Sequence, residues 1–186
     1  MIWIQYPQER CDAELVRKMI ALENTAWPGS GAEEEYPSAP DTFVTAFVLA
    51  EQDAVICHVG VRKSILLHKG RTYLAYGLSE VVTHPRWQNR GLASETIKKA
   101  AQFIITQHAD ISIFTCEKNR VPLYTRGGWE EVKGACLVGG TREKPFRSDS
   151  LNLVTMMRFL SSDAKRHKAD FENTDIILEL GENQLW

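Results

Sequence analysis

From Val81 to Ser94 the chain reads Val81-Val82-Thr83-His84-Pro85-Arg86-Trp87-Gln88-Asn89-Arg90-Gly91-Leu92-Ala93-Ser94: an apolar run, a polar turn, then small residues where an amphipathic stretch begins. The first N–H groups of a helix have no partner within it and lie at the positive end of its dipole, so such a start holds an anion without a lysine. Gly91 and Ala93 add little bulk, which lets phosphate oxygens approach the backbone closely. A pyrophosphate suits that arrangement. The Gly-Lys-Ser/Thr ending of a P-loop and the G-x-G-x-x-G of a dinucleotide fold are both missing. Just ahead of this run stands Glu80. Strand alternation puts it on one face with Leu74, Tyr76, Leu78 and Val82, where an unpaired carboxylate is costly. Such a carboxyl binds its proton more firmly and suits a general base acting directly or through water. The alternatives are pairing with a neighbouring arginine, or a bulge that turns it to solvent. Ser79, on the other face, is the place for a relay water.

Other side chains carry weaker chemical signals. Cys11, Cys57, Cys116 and Cys136 are widely spaced, form no CxxC pair and read as free buried thiols. The five histidines are scattered, and none pairs with another at a helical metal-ligand spacing, so no metal is expected.

The elements that position these residues follow from pattern. Met1 to Tyr6 alternates as a strand, and Asp12 is placed to cap a helix with Leu15, Val16, Met19, Ile20 and Leu22 on one side. Residues 27–41 gather Pro28, Gly29, Gly31, Pro37 and Pro40 around Glu33-Glu34-Glu35, which reads as a loop and a candidate substrate lip. Residues 42–49, 54–67 and 73–83 are rich in valine, isoleucine and aromatics and form a three-stranded antiparallel meander. Ala93, Ile97, Ala100 and Ile104 mark an amphipathic helix over 92–105. A strand over 111–116, a short helix over 119–126 stopped by Gly127-Gly128, and strands over 129–138 and 151–160 complete the pattern. The tail from Ser161 is charged until Ile176-Ile177-Leu178, and its apolar end Leu185-Trp186 is expected to dock.

Length and composition bound the rest. With 186 residues, 44% of them hydrophobic, the chain is expected to bury one core as a single domain over 1–186. A net charge of −2 leaves no broad basic face for nucleic acid. No apolar run approaches the roughly 20 residues that span a bilayer, and Met1-Ile2-Trp3-Ile4-Gln5 lacks a basic leader head, so no membrane is expected and the protein reads as cytoplasmic. A homodimer is left open.

Two segments together resemble a known family. Gln88-Asn89-Arg90-Gly91-Leu92-Ala93 resembles the Q/R-x-x-G-x-G/A loop of the GNAT superfamily of N-acetyltransferases. About thirty residues on, Asn119-Arg120-Val121-Pro122-Leu123-Tyr124-Thr125-Arg126-Gly127-Gly128-Trp129 is similar to its N-x-x-A-x-x-L-Y-x-x-x-G-F/W segment, with Pro122 in place of alanine. The resemblance implies a mixed α/β fold, a mostly antiparallel central sheet flanked by helices. It implies an enzyme that transfers acetyl from acetyl-CoA to a primary amine, releasing coenzyme A. The amides of Gln88, Asn89, Arg90, Gly91, Leu92, Ala93 and Ser94 would hold the pyrophosphate. Val81, Val82 and Thr83 would pair with the pantetheine arm, and Asn119 would join the cofactor site. Tyr124 would return a proton to the departing thiolate, or else pack under the last strand. No cysteine or serine sits in an activated arrangement, which fits direct attack by the amine.

A finer similarity is to the aminoglycoside 2'-N-acetyltransferases. It rests on Ala54-Val55-Ile56-Cys57-His58, on Trp87 before the loop, on Leu123 to Trp129 and on the final tryptophan. It implies that Asp149 and Trp186 contact the amines of a polycationic small molecule, with residues 161–186 completing the acceptor site. Glu33, Glu34 and Glu35 would orient its ammonium groups through charge-assisted hydrogen bonds, or form a solvated face. Two features depart from that family. Its strand glutamate falls at Ser79, with Glu80 one residue away, and the tail is longer and more charged. The alternatives are another small amine or a protein amine as acceptor, or a domain that binds acyl-CoA as a sensor without turnover.

Overall fold

The computed structural model describes residues 1–7, 10, 12–28 and 45–186. Its elements are β1 (Ile2–Pro7), α1 (Ala13–Ala26), β2 (Thr45–Glu51), β3 (Ala54–His68), β4 (Arg71–Thr83), α2 (Leu92–Thr106), β5 (Ile111–Glu117), α3 (Val121–Thr125), β6 (Glu130–Glu131), β7 (Cys136–Gly140), β8 (Pro145–Arg147), β9 (Leu153–Phe159), α4 (Ser162–Arg166) and β10 (Asp175–Ile177). Pairing is antiparallel for β1 with β2, β2 with β3, β5 with β9, β6 with β9 and β7 with β8. It is parallel for β4 with β5 and for β10 with β7. The class is mixed α/β with a mostly antiparallel sheet, as expected. The chain resolves into two compact units, residues 1–62 with 78–100, and residues 63–77 with 101–186, so β3, β4 and α2 each run from one into the other. Among the described residues no helix is long and apolar enough to cross a membrane.

In the first unit, the Asp12 carboxylate caps α1 by accepting from the amides of Glu14 (2.7 Å) and Leu15 (3.3 Å). Met19 and Leu22 of α1 then pack on Ala46, Val48, Val55 and Val82, burying one face of the strands. The opposite face buries Leu49, Ile56 and Cys57 against Trp3, Trp87 and Leu92. A bulge at Leu49/Ala50 lets Ile56 and Cys57 contribute to that same cluster, and the Ile56 carbonyl accepts the amide of His84 at 2.9 Å.

The second unit is organised by aromatics. Trp129 is fully buried, donates its indole N–H to the Ser112 hydroxyl at 2.9 Å and meets Phe114 edge-on. Phe171 stacks on His68 and meets Tyr73 and Phe159 edge-on. One expectation changes here. The strand expected over 129–138 is divided: Glu130–Glu131 pairs with β9, and Cys136–Gly140 pairs with β8 and β10, because the chain turns at Gly134 with φ +65°. The apolar end of the tail docks as expected, Trp186 being buried, and Ala164, Phe171, Ile176, Leu178 and Leu180 are buried as well.

Candidate functional site

In the first unit, β4 ends at Thr83, and Pro85–Trp87 forms a single 3-10 turn whose cap is His84, its Nδ1 accepting the Arg86 amide at 3.2 Å. The chain then reverses through two positive-φ residues, Asn89 at +61° and Gly91 at +79°, and enters α2 at Leu92. Gln88 donates its side-chain amide to the Thr83 carbonyl (3.1 Å), and the Arg90 guanidinium donates to the Arg86 carbonyl (3.2 Å) while lying over the Trp87 ring. These contacts fix the turn from inside. The Glu95 amide bonds back to the Gly91 carbonyl at 3.1 Å, so the amides of Leu92, Ala93 and Ser94 precede the first intrahelical bond. Among the described residues, a β-carbon at Gly91 would meet nothing within 4 Å, so they leave space open at this helix start. Cys57 ties the region together, its sulfur 3.2 Å from the Thr83 hydroxyl and 3.3 Å from that of Thr96, and burial pushes its thiol up. Val81 and Thr83 are half-buried, whereas Val82 belongs to the core against α1.

Glu80 departs from the unpaired strand carboxylate the alternation implied. Its φ is +51°, in the left-handed region that a glutamate rarely adopts. The regular alternation of β4 breaks there, and Ser79 and Glu80 come to the same side, over Gly60 of β3. A β-carbon on Gly60 would stand 2.6 Å from the Ser79 hydroxyl and 2.7 Å from Glu80 Oε2, so glycine at 60 is what leaves room for both. The buried Arg62 guanidinium reaches across, with Nη2 2.5 Å from Glu80 Oε1 and Nε donating to the Ser79 hydroxyl at 3.2 Å. Of the alternatives to the apolar base, the arginine partner is the one found, since the Glu80 side chain stays mostly buried at 19% exposure. Backbone conformations of this kind persist where the surroundings over-determine them, and they cluster at functional sites.

Sequence reasoning missed what lies behind Glu80. His58 is fully buried, with Nδ1 3.0 Å from Oε1 of the buried Glu23 on α1. One donor atom from each of Glu23, His58 and Glu80 lies within 4.8 Å of the other two. The signal was the spacing His58-x-Gly60-x-Arg62, which puts the three residues on one face of β3.

In the second unit, Tyr124 is buried on α3 with its ring edge-on to Phe114 at 4.7 Å. Burial, with a smaller contribution from Cys116, pushes its phenol far above the ordinary range, so it keeps its proton at any neutral pH. Asn119 lies exposed in the turn that follows β5. Asp149 is exposed and held by Arg147 through two hydrogen bonds of 3.1 and 2.8 Å, which keep its carboxyl below the usual range. Trp186 is buried: its carbonyl accepts from the Thr115 amide (2.7 Å) and hydroxyl (2.6 Å), and its indole N–H has no hydrogen-bond partner among the described residues. Glu33, Glu34 and Glu35 lie outside the described residues. Of the four cysteines, Cys57, Cys116 and Cys136 are free and buried, and Cys11 lies outside the described residues.

No family model and no curated protein sequence matches the chain. Solved structures do match, at low identity. The Escherichia coli protein ElaA aligns over 85% of this chain and 99% of its own, at 10% identity and TM-score 0.61. The aminoglycoside 6'-N-acetyltransferase from Enterococcus faecium aligns over 87% and 98%, at 13% identity and TM-score 0.58. A probable N-acyltransferase from Enterococcus faecalis aligns over 71% of this chain but only 33% of its own length, at 16% identity and TM-score 0.58. The architecture is therefore the GNAT acyl-CoA N-acyltransferase fold.

Proposed function

We propose that this chain transfers acetyl from acetyl-CoA to a primary amine. The observation that carries the reading is the turn from Asn89 to Gly91, which places the amides of Leu92, Ala93 and Ser94, ahead of the first intrahelical bond, at the positive end of α2, where the described residues leave open space. The cofactor's pyrophosphate belongs there, flanked by the amides from Gln88 onward. Val81 and Thr83 are assigned to the pantetheine arm and Asn119 to its surroundings on the strength of the sequence resemblance. An aminoglycoside 6'-N-acetyltransferase of the same fold, 12% identical, was solved with coenzyme A, which supports the choice of cofactor.

The chemistry asked of the protein is orientation and proton transfer. Glu80 is the candidate acceptor of the amine proton, fixed by Arg62 and backed by Ser79. Tyr124, which holds its proton firmly, is assigned the role of donor to the thiolate. The acceptor is proposed to be an aminoglycoside-like polycation, acetylated at the 2' position; the acidic run Glu33 to Glu35, Asp149 and Trp186 are assigned to it by resemblance. What supports the acceptor class is the aminoglycoside substrate named for several structures of the same fold, which are 6' enzymes; the 2' position rests on the sequence resemblance alone. The deciding experiment measures thiol release from acetyl-CoA against aminoglycosides, polyamines and peptide amines, with product mass and position determined. Tight binding of acetyl-CoA with no release on any amine would replace the enzyme with an acyl-CoA sensor, a reading that the prior engagement of Glu80 by Arg62 favours.

A further inference from the structure

Glu23 on α1 is a buried carboxylate with little to hold it. It is 4% exposed, and its Oε1 accepts no hydrogen bond among the described residues, although His58 Nδ1 lies 3.0 Å away. A buried polar atom in that state calls for a partner from outside the chain, a water or an ion. Its neighbours favour the ion. His58 on β3 and Glu80 on β4 each bring a donor atom within 4.8 Å of the other two, and all three residues belong to the first unit. Ligands of one tetrahedral zinc, bonded at about 2.0–2.1 Å, stand about 3.3 Å from one another. The Glu23–His58 separation is already close to that, and Glu80 has to move inward by no more than about 1.5 Å to match it. Ligating carboxylates are themselves steadied by hydrogen bonds, and Arg62 supplies one to Glu80 Oε1, which leaves the second oxygen for an ion. The Glu80 side chain is the more exposed end of the group, so an ion can enter there. One imidazole with two carboxylates suits zinc or a neighbouring transition metal better than magnesium or calcium, which take oxygen donors. Histidine spacing, from which no metal was expected, does not register a set drawn from α1, β3 and β4.

We propose that Glu23, His58 and Glu80 form a binding site for a divalent transition-metal ion of the zinc type, and that the bound ion inhibits acetyl transfer by engaging Glu80. The site stands on the geometry of the three side chains. The inhibition rests on the acetyl-transfer reading, in which Glu80 takes the amine proton; a carboxylate whose free oxygen is on an ion is withdrawn from that task. No step of the transfer passes through the metal.

The test pairs binding with inhibition. The full chain, treated with a chelator, dialysed and titrated with zinc chloride in a calorimeter, is expected to take up one ion. Zinc-edge X-ray absorption should then show nitrogen and oxygen donors at about 2.0–2.1 Å and no sulfur. Absence of binding overturns the proposal, and so does sulfur scattering near about 2.3 Å, which would move the ion to a cysteine. Glu23→Gln keeps the size of the side chain and should weaken zinc binding at least about tenfold. Wild-type affinity in that variant, shown to be folded, also overturns the site; His58→Gln gives the same reading if Glu23→Gln does not fold. In the thiol-release assay, one equivalent of zinc should slow transfer about tenfold or more, and a chelator should restore it. The rate of Glu23→Gln should not respond to the same zinc, which separates the site from capture of the ion by released coenzyme A. Zinc bound by the wild type with transfer undiminished overturns Glu80 as a ligand. Zinc held through nitrogen and oxygen by a chain that acetylates no amine would remove the acetyl-transfer reading and leave the metal site standing.

Discussion

A β-carbon on Gly77 would stand 2.1 Å from Cε3 of Trp186, so the indole occupies the space that residue 77 leaves empty. The same ring's backbone carbonyl is held twice by Thr115. Trp186→Ala should cost about 3–5 kcal/mol of stability by cavity formation. Gly77→Ala should cost about 1–3 kcal/mol by overpacking. Because the indole makes most of the clash and the Ile113 carbonyl, at 2.7 Å, the rest, the double variant should lose less than the sum in a denaturant titration. Strict additivity would mean that the ring does not rest on Gly77. If Trp186 also borders the acceptor, its loss raises KM for an aminoglycoside well above any change in KM for acetyl-CoA.

Gly91 tests the cofactor assignment directly. Its φ of +79° disfavours any side chain, and a β-carbon there projects into the open space assigned to the pyrophosphate. Gly91→Val should weaken coenzyme A binding at least tenfold by calorimetry. Unchanged affinity in a folded variant would end the assignment.

Tyr124 gives a signed pH prediction. Its phenol is raised by burial in the folded chain, so the folded state binds the proton more tightly than the unfolded one. The stabilisation is complete below the unfolded value near 10 and declines as pH climbs above it. Tyr124→Phe should flatten that alkaline decline in thermal melts, where Tyr73 and Tyr76, also raised by burial, contribute in the same sense. The same variant should lower kcat about 100-fold if the phenol protonates the thiolate. A decline as steep as wild type would show that Tyr124 is not the group responsible.

Arg147 holds Asp149 and also reaches Asp175, through hydrogen bonds of 2.6 and 3.0 Å. Arg147→Ala frees both carboxylates and should lower KM for a polycationic amine several-fold if Asp149 meets the acceptor. A neutral amine acceptor, assayed in parallel, should show no change. Equal effects on both would separate Asp149 from substrate recognition.

What was legible in sequence was what consecutive residues make on their own. The anion-binding start of α2 is built from a turn and the helix it opens, so its pattern of Gln88, Gly91 and Ala93 is visible without a fold. Asp12 as a cap is local in the same way. The face carrying Glu80 was misread because alternation assumes φ stays negative, and the left-handed φ at that residue breaks it. The Glu23–His58 pair was invisible because its halves lie on different elements and meet only once α1 packs on the strands. Ala164, Phe171 and Leu180 of the tail were not legible because they come singly among charges, without a period that would announce a helix or strand.

Gly60 has a consequence for anyone altering this protein. Only glycine fits there, since even one added methyl would have to displace the Ser79 hydroxyl or the Glu80 carboxylate. A saturation library there should return glycine alone under selection for activity, while Ile65 and Leu67, exposed farther along the same strand, should accept nearly anything. Within one continuous β-strand, freedom to vary would change from none to almost complete over five residues.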